Sequence, residues 1–124
     1  MMYSTLTKVN MMPQRSKYGA VKTTYNGRIF DSKKESEFAM ELDILRKAKR
    51  AADRVLSVEY QVPYEFQVNR THVFTYIADF RVTYADGHQM IFDVKGYKKG
   101  AAYQMFKIKK KCIEAHYQIT ITEV

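Results

Sequence analysis

The sequence has few of the residues that disulfide, zinc or membrane chemistry would need. It contains a single cysteine, Cys112, and this count excludes an internal disulfide framework and a zinc site built from paired cysteines. No apolar run approaches the ~18 residues that a membrane-spanning helix requires. We therefore expect a protein of the reducing cytoplasm that has no membrane segment.

Acidic residues are also scarce relative to basic ones. The 124 residues include 21 Lys and Arg against 13 Asp and Glu, a formal net charge of +8 at pH 7. Nucleic acid is the first partner class to consider, because its phosphates carry the opposite charge. The alternatives are a soluble basic protein with a solvated surface, or a ribosomal or membrane-surface binder.

The length and the 46% content of hydrophobic residues are typical of a globular chain that buries its own core. We predict a single domain over residues 18–124. Residues 1–17 show weak periodicity and end in Arg15 and Lys17, so we interpret them as a flexible basic N-terminal arm.

The first half of the domain carries two local structure signals. Asn26-Gly27 lies between β-forming residues and predicts a two-residue hairpin turn, because both positions need positive φ. Ser32 followed by Glu35 has the spacing of a capping box and predicts the start of a helix. We expect this helix to run to about Ala52.

The second half reads as strands with one more helix. A strand pattern begins at Val55, and Pro63 within it favours an edge or a bulged strand, since proline cannot donate to a ladder. The remaining predicted elements are strands over 73–84, 89–95 and 118–124 and a helix over 103–116. The order β-β-α-β-β-β-α-β predicts an α/β fold with a central mixed sheet and helices packed on it.

Two aspartates occupy strand positions where carboxylates are disfavoured. Asp79 and Asp93 each interrupt an apolar strand pattern, and a buried carboxylate is costly unless it is paired or binds a metal. Asp93 and Lys95 are two residues apart, so their side chains share one face of the strand. This carboxylate and ammonium could bind a cation and orient a water molecule on the same side.

The position of Asp79 relative to Asp93 depends on the turn between their strands. A two-residue turn at Asp86-Gly87 would place the carboxylates on opposite faces. A three-residue loop that includes Ala85 places Asp79 opposite Asp93. We predict this second register, because only it places both carboxylates on the same face as Lys95, where they can act together. The other face then forms core from Phe80, Val82, Phe92 and Val94.

Oxygen ligands of this kind suit Mg²⁺, and a third carboxylate is predicted from the first helix. Glu35 lies three residues before Phe38 and seven before Leu42, which places it on the inward face. Glu37 is the alternative. A bound Mg²⁺ stabilises charge on a phosphoryl group, and Lys95 could assist the attacking water or the phosphate.

These residues resemble the PD-(D/E)xK nuclease superfamily and, within it, a family of small phage Holliday-junction-resolvase-like endonucleases. The segments that carry the resemblance are FDSKKE at 30–35, YIADF at 76–80 and DVKGY at 93–97. The resemblance covers roughly residues 17–124. Two departures are Ala78 before the first acid, where proline is common, and Asp93, where many members have Glu.

The resemblance implies a restriction-endonuclease-like fold and a Mg²⁺- or Mn²⁺-dependent endodeoxyribonuclease that cuts branched DNA in phage recombination or replication. It also implies a homodimer, no small-molecule cofactor and, for a phage protein, a location in the bacterial host cytoplasm. Glu35, Asp79 and Asp93 are implied as metal ligands together with the Val94 carbonyl. Lys95 is implied as the catalytic lysine.

Lysines are abundant beside these positions, and no acid lies between Lys95 and Lys111. This run favours contact with phosphates, with a solvated helix face as the alternative. The candidate DNA-binding residues are Arg15, Lys17, Lys33, Lys34, Lys98, Lys99, Lys107, Lys109 and Lys110.

Several alternatives stay open from the sequence. Asp79 and Asp93 could be structural acids paired with Arg81 or Lys95, and Glu35 could act only in the capping box. The competing functions are a nicking or restriction-like nuclease on other DNA structures, or a catalytically inactive basic DNA-binding module.

Overall fold

The computed structural model describes residues 21–124 and the backbone of residues 14 and 15. The chain divides into two compact units, Met1–Ala48 and Lys49–Val124. Apart from the backbone of residues 14 and 15, the predicted basic arm, including Lys17 and the side chain of Arg15, lies outside the described residues. Within the described part, no helix is long and apolar enough to cross a membrane.

The first unit contains a small antiparallel sheet. Its strands are β1 (Gln14–Arg15), β2 (Val21–Tyr25) and β3 (Arg28–Phe30), in that order. Asn26 and Gly27 connect β2 to β3 with φ values of 51° and 80°. The predicted hairpin turn is confirmed, because both residues adopt the left-handed backbone that such turns need.

Helix α1 follows over Lys33–Ile44, and its start is confirmed. The Ser32 hydroxyl accepts a hydrogen bond from the Glu35 backbone N–H at 3.1 Å. The predicted end at Ala52 is wrong, since α1 gives way to a 3₁₀ turn at Leu45–Lys47. Leu42 is the last buried residue of α1. The alanines beyond it favour a helix by propensity, but helices in proteins are held mainly by a packed apolar face.

The second unit begins with a long hairpin of β4 (Val55–Val68) and β5 (Thr71–Tyr84). Its turn residues, Asn69 and Arg70, have φ values of 48° and 67°. The sequence did not predict this turn, because arginine stands where glycine is usual. β4 forms the edge of the sheet, which confirms the interpretation of Pro63.

Strand β6 (Gln89–Asp93) returns antiparallel to β5 after a three-residue loop. The Tyr84 N–H donates to the His88 carbonyl at 3.0 Å, and Phe80 pairs with Phe92. Gly87 closes the loop at φ 95°. The predicted register is therefore correct, and extending it by one pair beyond Phe80 and Phe92 places Asp79 opposite Asp93.

Helix α2 (Gly100–Tyr117) then crosses over to β7 (Ile121–Glu123), which runs parallel to β6. The helix starts three residues before the predicted Tyr103, and it is capped at its C-terminus by Gln118, whose φ is 56°. The fold is thus mixed α/β: the described residues form two helices and a four-stranded mixed sheet in the order β4-β5-β6-β7.

The four predicted core residues are all buried, with Phe80 and Val82 at 0% exposure. A second group of buried side chains forms where α2 packs on the sheet of the second unit. Its members are Val62, Tyr64, Tyr76, Ala78, Ile91, Phe106, Ile113 and Ile121. Because Ile91 shares its sheet face with Asp93, α2 also covers part of the face that carries the acids.

Candidate functional site

The two aspartates lie side by side on the central strands of the second unit. Asp79 directly precedes Phe80 and Asp93 directly follows Phe92, and these two phenylalanines pair in the antiparallel β5–β6 ladder. Asp93 is 3% exposed, and Asp79 is partly buried. The Val94 N–H donates to Asp79 Oδ2 at 2.8 Å. The local backbone therefore holds one carboxylate against the strand that carries the other.

Both oxygens of the Asp93 carboxylate have close partners. The Tyr76 hydroxyl donates to Oδ2, and the Lys95 Nζ lies 3.0 Å from Oδ1. The same ammonium is 3.8 Å from the centroid of the Phe106 ring, a cation–π contact. The structural alternative for Asp93, a pair with Lys95, is thus present. Arg81, the alternative partner for an aspartate, pairs with Glu59 at 2.7 Å.

Strand β7 fixes the backbone around Asp93 and Lys95. The Val124 N–H donates to the Asp93 carbonyl at 2.9 Å, and the Lys95 N–H donates to the Val124 carbonyl at 3.1 Å. Glu123 is the register partner of Asp93. These bonds hold the Asp-Val-Lys segment between two neighbouring strands, which limits its conformational freedom.

The electrostatics of the pair affect Asp79 and Tyr76 most. Burial and the neighbouring Asp93 carboxylate raise the pKa of Asp79 to about 6, although the Val94 N–H and Lys95 act in the opposite direction. Burial, followed by the charge of Asp93, raises the pKa of Tyr76 well above its ordinary value. Tyr76 is therefore a neutral hydrogen-bond donor at every physiological pH.

The raised pKa of Asp79 predicts a pH-dependent stability. The folded protein keeps the Asp79 proton up to about pH 6, against an ordinary pKa of 3.8. The stabilisation from this proton is complete below pH ~4 and is lost as pH rises through ~6. Asp79→Asn keeps an acceptor for the Val94 N–H and removes the titration. We expect this variant to exceed the wild type in stability by up to about 3 kcal/mol at pH 8.

Urea denaturation from pH 4 to pH 8 in metal-free buffer measures this difference. The difference in the free energy of unfolding between Asp79→Asn and the wild type should decrease steadily toward pH 4, because the Asp79 carboxyl of the folded protein is then neutral, like the amide. A gap that stays constant across this range would contradict the raised pKa.

Glu35 is the buried acid of the first unit. It is 8% exposed, whereas Glu37 and Glu41 are exposed, so Glu35 lies on the buried face of α1 as predicted. Across residues 21–124, no group of three or more His, Cys, Asp or Glu side chains is arranged to hold a metal ion.

The candidate DNA-binding lysines have different environments. Lys110 is partly buried and pairs with Glu123 at 3.1 Å, and Lys109 is partly buried 5.6 Å from the Phe74 ring. These two are less available to phosphates than the exposed members. The exposed members are Lys33 and Lys34 on α1, Lys98 and Lys99 before α2, and Lys107 on α2.

Tyr76 is a site residue that the sequence reasoning missed. A strict period of two places Tyr76 and Asp79 on opposite faces of β5, yet the Tyr76 hydroxyl reaches Asp93. In the neighbouring strand β4, Gln61 has a left-handed φ of 52°. Tyr64, three residues further along this strand, accepts a hydrogen bond from Arg81. The sequence feature that could have indicated Tyr76 is the YIADF segment at 76–80, of which it is the first residue.

The second unit thus belongs to the mixed α/β class and carries two adjacent carboxylates and an ammonium on its central strands. The chain belongs to the family described as "Protein of unknown function (DUF1064)", whose model matches residues 15–123. Neither the curated proteins nor the solved structures include a match to the chain. Membership of this family assigns no activity.

Proposed function

We propose that this protein is a metal-dependent endonuclease that hydrolyses phosphodiester bonds in DNA. The observation that carries the proposal is the adjacent pair of Asp79 and Asp93, with Lys95 bound to the second of them. Two neighbouring carboxylates repel each other when both are ionised, and a divalent cation removes that repulsion. The single ammonium is bound to Asp93, and the pKa of Asp79 is raised in spite of that ammonium and of the Val94 N–H.

The donor atoms of the second unit fit Mg²⁺ or Mn²⁺, which accept carboxylate and carbonyl oxygens. Asp79 and Asp93 supply the carboxylates. In an extended chain the N–H and C=O of one residue project to the same side, and the Val94 N–H points to Asp79. The Val94 carbonyl is therefore the third proposed donor. Glu35 is proposed as a further ligand on the resemblance and on its burial.

The residues around the pair have separable roles in this proposal. A bound divalent ion stabilises charge on a phosphoryl group and lowers the pKa of water. Asp79 and Asp93 hold the ion, and Tyr76 keeps the Asp93 carboxylate in one orientation through Oδ2. Lys95 stabilises the negative charge that develops on the phosphate.

The exposed lysines and the net charge of +8 support DNA as the substrate. Contacts from lysines to phosphates recognise the shape of the backbone and not its sequence, which suits a branched substrate such as a four-way junction. A homodimer would provide two sites for two symmetric cuts. The proposal includes a restriction-endonuclease-like fold and action in recombination or replication in a bacterial cytoplasm.

Cleavage of labelled DNA by the purified protein tests this function. We expect nicks in a four-way junction with Mg²⁺ or Mn²⁺ and none with EDTA, because the carboxylate pair needs a cation to act on a phosphate. A linear duplex with the sequence of two junction arms serves as the substrate control, and it should be cut more slowly.

The other outcomes separate the competing functions. Equal cleavage of the junction and the duplex would indicate a nicking or restriction-like nuclease. Salt-sensitive binding of both DNAs without cleavage in any divalent metal would reject hydrolysis and indicate a DNA-binding module.

A further inference from the structure

The carboxylate of Asp93 is fully engaged before any metal is present. Its side chain is 4% exposed, and Lys95 contacts Oδ1 at 3.0 Å while Tyr76 donates to Oδ2. A buried carboxylate without a counter-charge is strongly destabilising. The Lys95 ammonium is therefore the cation that balances Asp93 in the protein as it stands.

The Lys95 side chain is held by a second contact. Its Nζ lies over the Phe106 ring, and the side chain is still 26% exposed. Lysine carries its charge on a flexible four-carbon stem. The ammonium can therefore change partners without any movement of the backbone, which β7 fixes through Val124.

A divalent ion on Asp79 and Asp93 would have the Lys95 ammonium as a close neighbour of like charge. Repulsion between two cations at such a distance is large wherever water is partly excluded. The ion and Lys95 therefore compete for the same carboxylate oxygen. Tyr76 does not compete, because it is neutral and occupies the other oxygen.

We infer that Lys95 is a built-in counter-ion of Asp93 that leaves Oδ1 when a divalent cation is bound, so that its ammonium reaches the DNA phosphate only in the metal-loaded protein. The inference rests on the proposed function and adds an order of events to it. In the metal-free protein the Lys95 ammonium is held by Asp93 and Phe106.

The affinity of the DNA-free protein for Mn²⁺, measured by isothermal titration calorimetry, tests this exchange. We expect Lys95→Met to bind Mn²⁺ about tenfold more tightly than the wild type, although this variant should not cleave DNA. Lys110→Met is the matched control. It removes an ammonium that is bound to Glu123, the register neighbour of Asp93, and should change the affinity by less than about threefold.

The competing results are distinct. Equal Mn²⁺ affinity of the wild type and Lys95→Met overturns the counter-ion role and leaves the proposed nuclease function intact. An equal gain in Lys110→Met also overturns it, because the effect would then be one of overall charge. Absence of Mn²⁺ binding in every variant rejects both the inference and the proposed function.

A measurement on the wild type avoids any folding defect of the Lys95→Met variant. Protons that lie over an aromatic ring resonate upfield, so the Lys95 side-chain methylene signals should be displaced by Phe106. These signals can be assigned because they disappear in Lys95→Arg. As Mg²⁺ is added, they should move toward the chemical shifts of an exposed lysine. Signals that stay unchanged at saturating Mg²⁺ would show that Lys95 remains in place, and would overturn the inference.

Discussion

Asp79→Asn should lower the rate of metal-dependent DNA cleavage by roughly 10²- to 10³-fold and leave DNA binding in EDTA unchanged. The amide keeps the shape of the side chain and still accepts the bond that the Val94 N–H makes at 2.8 Å. It removes the negative charge through which Asp79 would hold a divalent ion. The loss should therefore appear in catalysis and metal affinity, and not in the fold.

Single-turnover cleavage of a labelled junction measures the effect, and Asp53→Asn is the control. Asp53 is an exposed aspartate whose nearest basic partner, Arg50, lies 3.6 Å away. The control carries the same chemical change away from the carboxylate pair and should cleave like the wild type. Asp79→Asn with wild-type activity would reject the metal site.

The same substitution is expected to stabilise the metal-free protein at neutral pH, because burial and the neighbouring Asp93 carboxylate make the ionised Asp79 costly in folding free energy. A variant that gains stability and loses activity indicates a residue retained for function. Stability and cleavage data on one variant would thus separate a functional aspartate from a structural one.

Ile113→Ala should destabilise the second unit by about 2–5 kcal/mol. Ile113 is 0% exposed, and it shares with Phe106 the task of burying α2 against the sheet. Truncation leaves a cavity beneath the helix that the surrounding side chains can only partly fill. Urea denaturation followed by circular dichroism measures the loss.

Ile108→Ala makes the same change on the outer side of α2, where Ile108 is 58% exposed. Alanine has a higher helix propensity than isoleucine, so this control should be neutral or slightly stabilising. Equal losses in both variants would contradict the placement of α2 on the sheet.

The register of the acidic pair could be predicted from local chemistry once the requirement that both acids share one face had decided between the two possible turn lengths. Period-two alternation fixes which side chains share a face, and Gly87 permits the three-residue loop that sets Asp79 opposite Asp93. The Asn26-Gly27 turn and the Ser32 cap were predictable for the same reason. In each case a few adjacent residues determine the backbone.

Other features depend on contacts between distant segments and were not predictable. Tyr76 joins the site through the hydrogen bond from its hydroxyl to Asp93 on the neighbouring strand, which its position in β5 does not indicate. Lys110 belongs to a lysine run that favours DNA contact, but its partner Glu123 comes from β7. The end of α1 differs from the prediction because residues with high helix propensity continue to Ala52, whereas the buried face of the helix ends at Leu42.

The parallel pairing of β6 with β7 has a consequence for how the site forms. The contacts between Asp79 and Val94 lie within a hairpin, which closes a short loop and can form early during folding. The bonds that Val124 makes with Asp93 and Lys95 join segments separated by the whole of α2, because parallel neighbours need a long crossover. We therefore expect the two acids to be brought together earlier in folding than the backbone of Lys95 is fixed.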